Sequence, residues 1–220
     1  DGGPGPRPEI SVMAAASRVP WSGHMTLHAM ADVYEAIKCQ QTTLVFVNTR
    51  AQAEVVFNHL WRLNDDGLSI ALHHGSLAVE QRRKVEAAMV RGMLRAVVCT
   101  STLDLGVDWG AVDLVIQVGA PKGLSRLVQR IGRANHRLDD PSRAVLVPSN
   151  RFEVLECQAA AAAVVEGELD GEVRRQGGLD VLAQHILGVA CGGPFRAADL
   201  YEEVHCAAPY KNLDQDTFEQ

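Results

Sequence analysis

The sequence predicts a doubly wound α/β fold with a parallel sheet over residues 21–150, followed by the opening helices of a second, mainly helical domain. Three observations predict it. Five short apolar, β-branched runs recur along the first 150 residues: TLVFVN (43–48), SIAL (69–72), AVVCT (96–100), DLVIQV (113–118) and RAVLVP (143–148). Stretches with helical spacing of apolar residues separate them, which is the mark of βαβ units and a parallel sheet. Past Asn150 the strand runs stop and only helical texture remains. In such a sheet, ligands bind in the loops at the strand C-termini.

The elements follow in order. DGGPGPRPEI opens the chain, and its prolines and glycines predict a flexible leader or linker over residues 1–20. The chain begins at Asp1 and not at Met, so it reads as a piece of a longer polypeptide. After TLVFVN, Thr49 and Arg50 open a helix through Ala53, Val56, Phe57, Leu60 and Trp61. SIAL is the next strand, with a helix over residues 78–90 behind it. AVVCT and DLVIQV are strands, a helix starts near Leu124, and RAVLVP closes the series. Residues 151–168 are alanine-rich and helical with no strand partner, and RRQGG (174–178) breaks the chain, so residues 151–178 read as a helical linker. LDVLAQHILGVAC (179–191) places Leu179, Leu182, Ile186 and Val189 at helical spacing, and FRAADLYEEVHCAAPY (195–210) adds another helix. Residues 179–220 therefore read as the start of a domain that ends unfinished at Gln220.

Composition narrows the classes. At 47% hydrophobic and 22% charged, the 220 residues are those of a globular chain. No run approaches the roughly 18 apolar residues of a membrane span. Cys39, Cys99, Cys157, Cys191 and Cys206 are widely spread with no C-x-x-C pair. That argues against a disulfide framework and a zinc site and points to a reducing cytoplasm. A net charge of −6 opposes nucleic acid as a bulk property, but the charge is unevenly placed. Residues 121–137 carry Lys122, Arg126, Arg130, Arg133 and Arg137 and no acid, while Glu153, Glu156, Glu166, Glu168, Asp170 and Glu172 gather further on.

VQRIGRANHR (128–137) concentrates the basic charge. The five cations are spaced 4, 4, 3 and 4 apart, one face of a helix, with Leu124, Leu127, Val128 and Ile131 opposite. A solvated surface helix normally interleaves acids for i,i+4 pairing. This one has none, so the column reads as a phosphate site suited to guanidinium forks. Gly132 offers an earlier stop, which would leave Arg133 and Arg137 on the following loop.

Smaller signals lie at the other strand ends. TSTLDLGVDWG (100–110) follows AVVCT, where Thr100, Ser101 and Thr102 can donate to a phosphate. In the same stretch Gly106 allows close backbone approach, and Asp108 can accept from a sugar hydroxyl. In NTR (48–50), Asn48 or Thr49 can cap a helix while Arg50 reaches a backbone phosphate. HHG (73–75) has no third metal ligand at a suitable spacing, so turn and packing roles are expected. EEVH (202–205) lacks the apolar strand and upstream phosphate loop of an ATPase D-E-x-H box, and is set aside.

The order LVFVNTR, LHHGS, CTSTLDLGVDWG, QRIGRANHR resembles motifs IV, V and VI of superfamily 2 helicases, found in their second RecA-like domain. PWSGHM (20–25), DLVIQVGAPKG (113–123), RIGRANHR and PSNRFEVLECQAA (148–160) narrow the resemblance to the large helicase-related (Lhr) family. Within it, they are most similar to the bacterial ligase-associated DEXH-box branch. The resemblance implies a RecA-like sheet, with the helices after Leu179 beginning a winged-helix domain. It implies ATP and Mg²⁺ bound mainly by an N-terminal RecA-like domain of the same polypeptide, which carries the phosphate loop and the D-E-x-H acids.

On this resemblance Arg133 is the principal arginine finger. The second finger position falls on His136, with Arg137 one residue further, and the two stay alternatives. Arg133, Arg130 and Arg137 form the implied catalytic set, while Gly106, Asp108, Arg133 and Arg137 face the nucleotide. Arg130 and Gln129 link the ATP site to the domain interface. Thr49, Arg50, Gly75, Thr100 and Ser101 track a single-stranded backbone. The implied activity is ATP-driven 3′-to-5′ translocation and unwinding in DNA repair. The implied partner is single-stranded DNA or a DNA:RNA hybrid, in the cytoplasm, with no membrane partner and no metal held by these residues themselves. With the phosphate loop elsewhere, these 220 residues alone are expected to lack ATPase activity.

Two other readings compete. A non-catalytic nucleic-acid-binding module would keep the fold without a phosphate loop encoded upstream of Asp1. An unrelated α/β enzyme such as a nucleotide-sugar transferase needs an acid–base pair or a cofactor loop, and no G-x-G-x-x-G follows any strand.

Overall fold

The computed structural model describes residues 6–23, 25–103, 111–134, 141–168, 170 and 176–220. Its strands are β1 (Glu9–Val12), β2 (Thr43–Phe46), β3 (Ile70–His73), β4 (Ala96–Cys99), β5 (Leu114–Val118) and β6 (Arg143–Val147). The helices are α1 (Met30–Lys38), α2 (Arg50–Arg62), α3 (Val79–Val90), α4 (Leu124–Ile131), α5 (Arg151–Glu166), α6 (Leu179–Gly192), α7 (Ala197–His205) and α8 (Gln215–Glu219). All six strands are parallel, in the order β1-β6-β5-β2-β4-β3. Each strand run read from the sequence is present.

Period-2 alternation sorts the core into two layers. Leu44 and Phe46 of β2 face one side, with Met89 of α3, Leu127 and Ile131 of α4, and Cys157, Ala160 and Val164 of α5. Val45 and Val47 face the other, with Met30, Val33 and Ile37 of α1 and Ala53, Val56 and Leu60 of α2. Helices on both faces leave no polar side to the sheet, which is why its strands read as continuous apolar runs. Buried polar residues interrupt them at Thr43 of β2, His73 of β3 and Gln117 of β5, the last a fully buried amide between Ile116 and Val118. Alternation puts Gln117 on the α3–α4–α5 side with Val115.

The helix ends have local causes. The Thr49 hydroxyl caps α2 by accepting from Gln52 N at 3.1 Å. Asn150 Oδ1 caps α5 by accepting from Phe152 N and Glu153 N at 3.0 and 3.1 Å, and α5 stops at Gly167, whose φ of 78° is left-handed. Around Cys157, burial and the Glu153 and Glu156 carboxylates push the thiol pKa up to about 12, so it stays protonated.

Four expectations change. Residues 9–12 of the expected leader form β1, an edge strand in register with residues 143–146 of β6. The segment after it is also tied down. Arg151 N donates to Pro20 O at 3.0 Å, the Arg151 guanidinium stacks on Trp21 at 4.2 Å, Asn150 Nδ2 donates to Gly23 O at 3.1 Å, and the Thr26 and Ser149 hydroxyls pair at 2.7 Å. α1 adds a helix that the strand-by-strand reading passed over, although Met30, Val33, Tyr34 and Ile37 stand at helical spacing and are all buried. α5 is no linker, because Cys157, Ala160 and Val164 pack into the sheet's core and the compact unit extends to Asp170. Finally, Leu179 is 55% exposed, while Leu182 is buried and Ile186 and Val189 are partly so.

Residues 171–220 form a second compact unit. Its core joins Leu182 of α6, Leu200 and Val204 of α7 and Phe218 of α8. Tyr201 OH donates to Leu213 O at 2.9 Å, and Glu202–His205 lie within α7 as helical residues. Among the described residues no helix is long and apolar enough to cross a membrane.

Candidate nucleic-acid interface and arginine segment

β2 lies between β5 and β4, so chain order diverges on either side of it and a crevice opens at the strand C-termini. The loops after β2, β3 and β4 line a cleft of about 280 Å³ there, walled by Asn48, Thr49, Arg50, Gly75, Thr100, Ser101 and Thr102. All five residues expected to track a nucleic-acid backbone, Thr49, Arg50, Gly75, Thr100 and Ser101, meet in this cleft. They come from three separate loops over a span of more than 50 residues.

Each wall has its own support. Thr49 uses a lone pair in capping α2, which leaves its O–H able to donate into the cleft. Arg50 is exposed at the first position of α2. Thr100 is buried, with its N–H on His73 O at 3.3 Å, and Ser101 starts a short 3₁₀ turn through Leu103 with its side chain exposed. A Cβ built at Gly75 would meet only Thr102 Cγ2 at 3.7 Å and Arg50 Nη2 at 4.0 Å, ordinary contacts. Gly75 therefore serves as open space at the mouth of the cleft rather than as a strained turn.

The two histidines before Gly75 lie outside the cleft lining. His73 Nδ1 pairs with Thr102 Oγ1 at 2.9 Å and Nε2 with Glu86 Oε1 at 3.0 Å. His74 Nδ1 accepts from Ser76 N at 3.2 Å, which leaves Nε2 to donate to Glu54 Oε1 at 2.9 Å. Both rings are buried and satisfied, the turn and packing role expected of them. No group of three or more His, Cys, Asp or Glu side chains among the described residues could hold a metal ion.

The basic segment departs from the one-face expectation. Lys122 and Arg126 are exposed, but Arg130 is 3% exposed. Its Nη1 donates to Gln117 Oε1 at 2.6 Å, and its guanidinium lies 4.7 Å from the Phe46 ring centre. The helix is short, and Leu127, Arg130 and Ile131 hold the i, i+3 and i+4 positions of its buried side. α4 ends at Ile131 with Gly132 as its cap, so Arg133 lies on the turn beyond, half-buried, with its N–H on Arg130 O at 3.0 Å. Gln129 is exposed on α4. Asp170 Oδ2 accepts from Ser125 N at 3.0 Å, so an acid does serve this basic helix, at its N-terminus where the dipole favours it. Gly106, Asp108, His136 and Arg137 lie outside the described residues.

Sequence reasoning missed Gln117 and offered Asn48 only as an alternative helix cap to Thr49, which is the cap observed. Asn48 lines the cleft, takes Gln52 Oε1 on its N–H at 3.0 Å, and donates from Nδ2 to Ala120 O at 2.8 Å. A lone glutamine inside DLVIQV was the available signal, since a buried amide in a central strand requires partners.

Comparison with known proteins identifies the family. Residues 27–137 match the family model of the helicase conserved C-terminal domain, and residues 162–220 match that of the winged helix domain of the large helicase-related protein. These define the class, a helicase C-terminal domain joined to a winged-helix segment. The chain belongs to the large helicase-related (Lhr) family of superfamily 2 helicases. ATP-dependent helicase Lhr-Core protein 2 of Thermococcus barophilus is 40% identical over 185 residues, covering 84% of this chain and 21% of that protein. The structure of Mycobacterium smegmatis helicase Lhr bound to ssDNA and AMP-PNP is 33% identical, with a TM-score of 0.72 over 97% of this chain and 29% of that one. A DNA-bound structure of the DUF1998 helicase MrfA is 26% identical, with a TM-score of 0.51 over 63% and 19% of the two chains. The chain spans about a fifth of the length of the curated Lhr-Core relatives it matches. The RecA-like parallel sheet expected from the sequence is the one observed.

Proposed function

We propose that this chain is the second motor domain of an ATP-dependent, 3′-to-5′ DNA helicase or translocase of the ligase-associated branch, acting in DNA repair in the cytoplasm. The cleft binds the phosphates of a single DNA strand, or the DNA strand of a hybrid with RNA. Arg50 supplies charge, Thr49 and Ser101 supply hydroxyl donors, and Gly75 leaves room for the backbone. ATP and Mg²⁺ are held mainly by the N-terminal RecA-like domain of the same polypeptide. Arg133, helped by His136 or Arg137, stabilises charge on the γ-phosphate in the transition state. Asp108 and Gly106 approach the nucleotide, and Gln129 meets the domain interface. Arg130 acts from the interior as a positioning residue. The convergence of Thr49, Arg50, Gly75, Thr100 and Ser101 on one cleft carries this reading.

Two measurements test it. The 220-residue chain alone is expected to release no phosphate from ATP, with or without DNA, and detectable hydrolysis by it would remove the need for a partner domain. In the full-length protein, Arg50→Ala is expected to weaken single-stranded DNA binding and to flatten its salt dependence by about 0.7 in log–log slope, one phosphate contact. An unchanged affinity and slope would take the strand out of this cleft.

A further inference from the structure

Between the arginine segment and the cleft runs a single buried amide. Gln117 Oε1 accepts from Arg130 Nη1, and Gln117 Nε2 faces Asn48 Oδ1 at 3.4 Å, Val118 O at 3.1 Å and Gly119 O at 3.2 Å. A guanidinium can only donate, so the amide cannot be turned round, and its NH₂ must face the three oxygens. Two hydrogens thus serve three acceptors and must be shared among them. Tilting the amide exchanges a bond to Asn48 for one to the backbone of the loop after β5. Asn48 is held from its other side by Gln52 and Ala120, and a Cβ built at Gly119, where φ is +79°, would come within 3.0 Å of Asn48 Nδ2. Asn48 is thus held on several sides, and a move of the amide bears on the loop that carries Thr49 and Arg50. At the other end, Arg130 O holds the backbone N–H of Arg133.

We infer that Gln117 is a positioning residue coupling the two ends of this domain, passing the state of the nucleotide-facing turn at Arg133 to the strand-binding cleft at Asn48–Arg50. Exchange of the amide's two hydrogens among these three oxygens would supply the two-state element that such coupling requires. The inference rests on the motor reading proposed above. Coupling of this kind is reciprocal, so it can be read as the change that nucleotide makes in DNA affinity.

The test uses the full-length protein, a fluorescent oligo-dT strand, and binding with and without AMP-PNP. Gln117→Glu keeps the acceptor for Arg130 and removes the donors toward Asn48, while Gln117→Met removes both. In each variant, whatever its DNA affinity without nucleotide, the AMP-PNP-induced change in affinity is expected to shrink by about fivefold or more. Should Gln117→Met not fold, Gln117→Glu carries the test. A merely structural role would lower the melting temperature and leave the affinity ratio alone. Wild-type coupling that survives in a folded variant overturns the inference and leaves the motor reading standing. Wild-type protein that binds neither strand nor nucleotide overturns both.

Discussion

Replacing Arg133 with alanine in the full-length enzyme is expected to lower ATP hydrolysis by about a thousand-fold or more, the size of effect an arginine finger has in enzymes that use one. Single-stranded DNA binding without nucleotide should persist, because Arg133 does not line the strand cleft. Its position explains the separation. Gly132 ends α4, and the Arg133 N–H closes the turn on Arg130 O, a backbone bond that alanine keeps. Arg133→Lys keeps the charge but loses the planar fork, and should recover only part of the rate. Steady-state phosphate release and oligonucleotide anisotropy on the same preparations provide the check. If both activities disappear together, either the variant is misfolded or Arg133 has the wrong role.

The second large effect is on stability. Arg130→Ala should destabilise the sheet-containing unit by about 3–5 kcal/mol, read from denaturant unfolding. Leaving Gln117 Oε1 buried without its donor costs about 1–3 kcal/mol, and the space beside Phe46 adds the cost of a cavity. Arg130→Met fills most of that space, so its penalty should fall toward the amide cost alone. Equal penalties for the two variants would mean that packing beside Phe46 contributes little. Activity lost by Arg130→Ala should track unfolding, which distinguishes it from the clean catalytic loss expected at Arg133.

The strands were legible because a sheet covered on both faces writes itself as short apolar runs. Thr49, Arg50, Thr100 and Ser101 stood out because they lie at the ends of such runs, where an α/β sheet binds ligands, whereas Gly75 came only from the family resemblance. What stayed hidden depends on pairing across distance. Nothing local in EISV announces an edge strand, since its partner lies more than 130 residues away in β6. Asp170 was counted with the acids of another region and instead caps the basic helix. Arg130 was placed by counting charges, and counting from Leu127 and Ile131 would have put it inside. The role of Gln117 needs three elements at once, β5, α4 and the loop after β2, and no single stretch of sequence contains that arrangement.

The pairing of β1 with β6 also has a mechanical consequence. Because β1 runs parallel to its neighbour, a pull arriving through residues 6–8 along the strand axis loads all of its ladder bonds together, in shear, rather than unzipping them one by one. Beyond the strand, the clasp of Arg151 on Trp21 and the bonds to Pro20 and Gly23 give a second anchorage on the same body. This double fastening makes the segment from β1 to Gly23 a tow-bar on the sheet rather than a slack tether. A displacement applied at residues 6–8 would reach the sheet as rigid-body motion instead of being absorbed by stretching chain.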